Sequence, residues 1–470
     1  MGNMEEIAVD GLIEASFIGN VIKKDLMRIA GLNFLPRYVA EFILSTFLQK
    51  YAEEVTAIAE AKKFVYDNYP ENNSSELLKH RLLEDGEIKI LQKFKVKVDV
   101  SSRQYTATIP LLKDRIQIKN EFTNYYPALL TTGMWGLGKI KNNPTNKTYP
   151  LDLVDFNPFQ IGSFDRKEFF EARANFTTLD QWLSTLIISF GLNPINFTKR
   201  QQLLIIARMI PLVSKNQVMA EFGPKSTGKT YQLRNHSSYS HVISGSSITP
   251  AKFAFDQVSG TPGLVSTADV IIFDEVTGAD FGKSKDFEMI GLLKDYMEGG
   301  NVTRGTKEIN EDASIVFIGN IQVKESRPKF EDFVRELPHS FRDTAFIDRI
   351  QGMIPGWEIP KIAQTDIAFT DQKGLMSNYI GEAFHNLRKW DHPSFRWNEV
   401  ETNLLNIRNE KAVMNITSGL IKILYPGVEI DKHDINLCLK IATHLRQNVY
   451  DQLNYQEPDE FKEFSLFAQI

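Results

Sequence analysis

A single cysteine, Cys438, stands in 470 residues, so neither an internal disulfide framework nor a multi-cysteine metal site is available. Cys438 itself reads as buried packing. No H-E-x-x-H, no paired-histidine spacing and no G-x-S-x-G elbow occurs, which removes the zinc-hydrolase and serine-nucleophile classes. No apolar run approaches the roughly 18 residues that a membrane span needs. The opening MGNMEEIAVD is acidic where a secretory signal is basic, so a cytoplasmic protein with no membrane partner is expected. A net charge of −5 excludes a uniformly basic nucleic-acid coat, and 42% apolar with 24% charged residues excludes wholesale disorder. Internal repeats and low-complexity tracts are also lacking.

What is present divides into four parts. Residues 1–80 carry helical apolar spacing, with Val39, Phe42, Ile43, Phe47 and Tyr51 at three- and four-residue intervals. Residues 81–145 change period: Lys93, Lys95 and Lys97 alternate with Phe94, Val96 and Val98, as in a half-buried strand, and several short strands follow. A small barrel or sandwich fits this span, an OB-like barrel among the options. The Asn/Thr/Pro-rich stretch KNNPTNKTYPLDLVDFNPF, residues 141–159, reads as a connector. Residues 146–355 then alternate helices (179–213, after Lys229, 249–258, 285–298) with short apolar strands (QVMAEFG, SHVIS, DVIIFDEV, ASIVFIGN), which predicts a parallel sheet with helices on its faces, an α/β P-loop core. Residues 356–470 turn mainly helical and read as a lid.

Gly223-Pro224-Lys225-Ser226-Thr227-Gly228-Lys229-Thr230 satisfies G-x-x-x-x-G-K-[ST] between an apolar strand and a helix. Backbone N–H groups of such a loop wrap a β-phosphate, Lys229 reaches the β- and γ-phosphates, and the Thr230 hydroxyl ligates Mg²⁺. Tyr231, next in the chain, joins the candidate nucleotide contacts. The apolar strand Val270–Phe273 ends in Asp274 and Glu275, 45 residues beyond Lys229. Asp274 is the expected second Mg²⁺ residue, and Glu275 the residue that orients and polarises the attacking water. The pair of motifs at this separation is far more specific than either alone. SIVFIGN ends at Asn320, which resembles the sensor 1 amide of AAA+ ATPases. Arg349 and Arg342, in FRDTAFIDRI, lie where such rings present an arginine finger to a neighbour's γ-phosphate, a task suited to a permanently charged guanidinium. Arg349 is the favoured one, a surface salt bridge being its bland alternative. Arg446, in ATHLRQNVYDQL, is the candidate sensor 2.

Two features bear on what the nucleotide's energy moves. EGGNVTRGTKEIN resembles the pre-sensor hairpin of MCM-type helicases, with Arg304 and Lys307 near its tip. Residues 81–142 hold eleven Lys/Arg against six Asp/Glu, locally basic in an acidic chain. Lys93, Lys95 and Lys97, with Tyr105 and Trp135 nearby in sequence, suit phosphate contacts and stacking, although alternating lysines also protect edge strands.

The phrases GNVIKKDL, GLNP, RMIPLVSKNQVMAEFGPKSTGKTY, VIIFDEV, KDYMEGGNVTRG, VFIGNI, AFIDRIQGMIPGWEIPK and LRQNVYDQL closely resemble the BrxL family, the Lon-like AAA+ component of BREX phage-exclusion systems, over nearly the whole chain. The resemblance implies an N-terminal DNA-associating region, an AAA+ core assembled as a hexameric ring, single or paired, ATP and Mg²⁺ as cofactors, DNA as partner beside other BREX-type proteins, and a role in antiphage defence. Longer members continue into a Lon-protease-like domain; the chain stops at Ile470, so protease activity is not expected. Two alternatives stand beside a DNA motor: a protein unfoldase, for which FDQVSGTPGLVSTADV offers no clear aromatic pore-loop pair, and a nucleotide-gated scaffold for other defence proteins.

Overall fold

The computed structural model describes all residues except Met1, 71–73, 161–163, 245–247, 258–260, 279–285, Thr306 and 363–368. The chain forms two compact units, one of residues 25–164 with 376–379, the other of residues 1–24, 165–375 and 380–470.

The first unit joins helices α1 (Arg37–Lys50), α2 (Glu54–Asn68) and α3 (Ser75–Glu84) to a closed five-stranded barrel. Its strands are β1 (Glu87–Asp99), β2 (Gln104–Ile109), β3 (Leu112–Ile118), β4 (Met134–Asn142) and β5 (Leu151–Pro158), with the short helix α4 (Asn120–Tyr125) between β3 and β4. The order around the barrel is β1-β2-β3-β5-β4; β3 and β5 run parallel and the other pairs antiparallel. This is the Greek-key arrangement of an OB-fold. Period-two patterning builds it: Ile88, Ile90, Phe94 and Val96 of β1 point inward with Ile116, Ile140, Leu153 and Phe156, while Lys93, Lys95 and Lys97 face outward. Leu78 and Leu82 of α3 join the same core.

The expected division at residues 80 and 145 therefore shifts. Helix α3 crosses the first boundary, and the strand that closes the barrel, β5, lies beyond the second. Closure removes the free edges of β3 and β4, which a barrel ending at residue 145 would leave open.

The second unit is built on a five-stranded parallel sheet. Its strands are β6 (Val218–Gly223), β7 (Ser240–Ser244), β8 (Val270–Asp274), β11 (Ser314–Asn320) and β12 (Gly352–Pro355), in the order β12-β6-β11-β8-β7. An antiparallel hairpin, β9 (Asn301–Arg304) and β10 (Lys307–Asn310), precedes β11. Strand β6 is buried at every position, as a central parallel strand must be. The helix expected at 179–213 is three: α5 (Leu179–Ser189), α6 (Lys199–Ala207) and α7 (Ile210–Val213). Gly-Leu-Asn-Pro at 191–194 ends the first, and a Thr198/Gln201 capping box starts the second. Helix α8 (Lys229–Asn235) follows the glycine loop, and the helix expected at 249–258 is a single turn, Pro250–Phe253, with residue 258 outside the described part. Helix α9 (Asp286–Gly299) leads into the hairpin, α10 (Thr344–Asp348) precedes β12, and α11 (Ser377–Leu387), α12 (Ile407–Leu424) and α13 (Lys432–Gln456) dominate the C-terminal part. Among the described residues no helix is long and apolar enough to cross a membrane.

Candidate nucleotide site

Three neighbouring strands of one parallel sheet, β6, β11 and β8, end at the same edge, where the chain leaves through Gly223, Asn320 and Asp274. Carboxyl ends of parallel strands are where open α/β sheets place ligands. Side by side there, the loop 223–230, the amide of Asn320 and the carboxylates of Asp274 and Glu275 come together although the sequence scatters them over about 100 residues.

The loop is shaped by its backbone. Ser226 (φ 71°) and Gly228 (φ 75°) both take left-handed conformations. Lys229 opens α8 and is buried; its ammonium donates to the carbonyl oxygens of Gly223 (3.3 Å) and Pro224 (2.6 Å) and to Asn320 Oδ1 (3.1 Å). Burial holds its pKa below the usual lysine range, with the Glu221 carboxylate opposing the shift. Thr227 is fully buried and its hydroxyl has no hydrogen-bond partner among the described residues. Thr230 is half-buried, while Lys225, Ser226 and Tyr231 are exposed. The amide of Ile362 donates to Ser226 O at 2.8 Å and ties residues after β12 to the loop.

At the end of β8, Asp274 Oδ1 accepts the Glu275 N–H at 2.9 Å. Glu275 has φ 58°, a left-handed conformation that costs a residue with a Cβ about 1–2 kcal/mol. Strain of this kind gathers where a side chain must point in a set direction. The exposed Glu275 carboxylate stands at the sheet edge, and the Asn320 N–H is held by Thr277 Oγ1 at 3.3 Å.

Beneath the loop lies a feature the motifs did not announce. Glu221, two residues before Gly223, accepts a bidentate pair from Arg208: Nε to Oε2 at 2.8 Å and an Nη to Oε1 at 2.6 Å. Both side chains are out of water, at 0% and 3% exposure. A lone glutamate in a strand buried at every position was the available signal, because a buried carboxylate demands a counter-ion.

The arginines separate. Arg446 is fully buried and saturated by protein: Nε to Asn409 Oδ1 (2.7 Å), one Nη to the carbonyls of Asp348 (3.0 Å) and Ile350 (2.6 Å), the other to Asp348 Oδ1 (2.5 Å). Four of its five N–H groups are thus spent on protein and the side chain is 0% exposed, so Arg446, the sensor 2 candidate, is engaged in locking α13 onto α10 and α12. Arg349 pairs with Glu298 of α9 at 3.0 Å and donates to Ala345 O at 2.7 Å. Arg342 is exposed and donates through Nε to Leu337 O.

The candidate nucleic-acid contacts also fall into two sets. On the barrel, Lys93 lies opposite Trp135, Lys95 opposite Thr108 and Lys97 opposite Thr106. Burial, with Lys95 beside it, pushes the Lys93 pKa down to about 8. Tyr105 is half-buried against the barrel core, and Trp135 stacks on Tyr69 with centroids 6.4 Å apart. On the hairpin, Arg304 and Lys307 form the last register pair, and both turn back onto Phe255: Arg304 donates to its carbonyl (2.8 Å), and Lys307 Nζ lies 4.8 Å from its ring centroid. Lys307 stays exposed, whereas Arg304 is engaged, with Glu288 3.5 Å from its Nε.

Residues 151–466 match the model of the Lon-like protease BrxL-like ATPase domain, and residues 15–142 that of the BREX system Lon protease-like protein BrxL N-terminal region. Lon-like protease BrxL of Escherichia coli O9:H4 (strain HS) is 34% identical over 456 residues, covering 95% of this chain and 64% of its own length. The protein of the same name from Bacillus cereus (strain H3081.97) is 31% identical over 468 residues, 96% of this chain and 67% of its own. The chain thus spans about two thirds of the length of these relatives. A full-length MCM homologue from Methanopyrus kandleri superposes with a TM-score of 0.42 at 10% identity, covering 77% of each chain, too distant a likeness to carry weight. With a parallel sheet that gathers the P-loop, Asp274, Glu275 and Asn320 at one edge, and with both family models matched in order, the chain belongs to the BrxL family.

Proposed function

We propose that this protein is a ring-forming AAA+ ATPase that hydrolyses ATP to bind or translocate on DNA, in BREX-type antiphage defence. The observation that carries the ATPase reading is the convergence of Lys229, Asn320, Asp274 and Glu275 at one sheet edge. In this reading the N–H groups of residues 225–230 surround the β-phosphate and the helix N-terminus adds positive potential. The Lys229 ammonium exchanges three neutral oxygens for phosphate oxygens. Thr230 and Asp274, hydroxyl and carboxylate, are the hard oxygen donors that suit Mg²⁺, which when bound neutralises charge on the phosphates. Glu275 accepts the proton of the attacking water while Asn320 fixes that water's position. Arg349 or Arg342 of a neighbouring subunit stabilises charge on the transferring phosphoryl group, so turnover depends on assembly.

DNA is the favoured load because the barrel has OB topology and its outward lysines face no acid in their own strand register. The test is Glu275→Gln protein with ATP and either double- or single-stranded DNA in a gel-shift assay, beside ATPase rates of the unmodified protein. ATPase loss in Glu275→Gln with DNA retained in an ATP-dependent shift supports the proposal. No shift with either DNA under any nucleotide condition removes DNA as the load and leaves the unfoldase or scaffold readings.

A further inference from the structure

At the opposite end of β6 from the P-loop lies a second concave site. The turn after α7 (Ser214, Lys215), the residues after α11 (Arg388 to Asp391) and one face of α12 (Ser418, Lys422) line a cavity of about 340 Å³. Six residues of strand separate the two sites, roughly 20 Å at the usual rise. Four cations, Lys215, Arg388, Lys389 and Lys422, line the cavity against one carboxylate, Asp391.

The four cations differ in what they are free to do. Arg388 is a floor: it donates to the carbonyls of Pro211 (2.9 Å), Ser214 (2.6 Å) and Asp312 (2.6 Å), fastening α11 to the starts of β6 and β11. Lys215 pairs with Asp312 at 3.0 Å. Lys422 is the telling one. Its side chain is 7% exposed, yet the one carboxylate paired with it among the described residues, Asp391 at 2.9 Å, is 90% exposed. Most of the Lys422 side chain is out of water while its counter-ion has kept nearly all of its own, so the pair recovers little of what burying the lysine costs. Lys389 is exposed at the rim, and no described acid pairs with it. A ligand with more than one negative charge, compact enough to enter, gains the largely buried Lys422 and the unpaired Lys389 together and displaces only a hydrated Asp391. The Ser418 hydroxyl adds a neutral donor.

We propose that this cavity binds a small polyphosphate, the di- or triphosphate group of a free nucleotide or pyrophosphate itself, at a site separate from the P-loop. Its volume lies within the usual range of small-ligand pockets, about 300–1,000 Å³. A ligand held there bridges α11 and α12 to the start of the strand whose other end carries the P-loop.

The test is calorimetric titration of full-length Lys229→Ala protein, its P-loop disabled, with pyrophosphate. Saturable binding to one site is expected. Lys389→Ala and Lys422→Met each weaken it at least tenfold, and Asp391→Asn strengthens it severalfold, a gain that a merely structural role for Asp391 would not produce. Lys389 is exposed, so its alanine variant keeps the fold. The proposal is overturned if Lys229→Ala protein takes up no pyrophosphate, or if Lys389→Ala binds it unchanged. It is also overturned if a DNA oligonucleotide without terminal phosphates displaces pyrophosphate from the Lys389 site, because the cavity then serves backbone phosphates.

Discussion

Replacing Glu221 by Gln tests whether the buried Arg208 pair braces the P-loop strand. The substitution keeps shape and removes one charge, leaving a guanidinium at 0% exposure whose remaining side-chain partner is Gln232 Oε1 at 3.4 Å. Breaking a buried pair from one side costs about 3–5 kcal/mol. The new amide oxygen still accepts one Arg208 hydrogen bond, which places the loss near the lower end, about 3 kcal/mol. Strand β6 is flanked by β12 and β11, so its amides exchange with solvent only when the sheet opens. Hydrogen exchange of β6 amides, followed by mass spectrometry, should therefore speed up by about two orders of magnitude. Arg208→Met combined with Glu221→Leu removes both charges and should recover most of the protection, as apolar replacement of a buried pair is often neutral. An increase of less than fivefold in Glu221→Gln, about 1 kcal/mol, would put this pair in the class of exposed salt bridges and refute the reasoning.

Three other outcomes are expected. Lys93, with its pKa held at about 8, is mostly protonated at pH 7 and mostly neutral at pH 9, so DNA affinity should fall across that window; Lys93→Met should flatten the profile in a fluorescence-anisotropy titration. The sign for stability is the reverse: a lysine pKa depressed in the folded state makes the folded protein bind fewer protons than the unfolded chain, so this group's contribution rises with pH from about 8 up to the ordinary lysine value of 10.5. Gly223→Ala should lower the unfolding midpoint, because a Cβ there would stand 2.5 Å from the Gly356 carbonyl carbon; overpacking of this kind costs about 1–3 kcal/mol, measured by urea denaturation. Mixing Arg349→Ala or Arg342→Ala protein with Lys229→Ala protein should restore ATPase activity for the variant that lacks the finger, since each partner then supplies what the other has lost; no recovery with either arginine variant removes the shared-site reading.

The parts of the site that the sequence displayed are those encoded in short contiguous runs. The P-loop, VIIFDE and SIVFIGN each join an apolar strand to its functional tip within about a dozen residues, and strand-helix alternation then fixes their sheet as parallel. The parts that were hidden depend on partners far along the chain. Strand β5 pairs with β3 on one side and β4 on the other, and it lies wholly inside the Asn/Thr/Pro-rich stretch 141–159 that reads as a connector, its short Leu151-Asp-Leu153 alternation masked by the prolines around it. The burial of Arg446 was hidden because its motif was weighed by position, whereas its neighbours Ala442, Leu445, Val449 and Leu453 place it in the buried stripe of α13. A charged residue inside such a stripe is bound to protein before it is offered to a ligand.

That distinction orders the arginines. Arg446, Asp348, Arg408, Glu298 and Arg349 form one chain of alternating charge across α13, α10, α12 and α9. Its links are unequal. At one end, Arg446 and Asp348 are 0% and 12% exposed and share several hydrogen bonds, so separating them costs several kcal/mol. At the other, Glu298 is 51% exposed, and its pairs with Arg349 and Arg408 are worth about 0–1 kcal/mol each. Arg349 therefore leaves Glu298 at a cost that one charge-assisted bond to a phosphate exceeds, about 1.5–3 kcal/mol, while Arg446 stays in place. A guanidinium that must reach a neighbour's nucleotide needs a weak resident partner, and one that anchors helices needs a strong one; by the exposure of their partners Arg349 fits the first requirement and Arg446 the second.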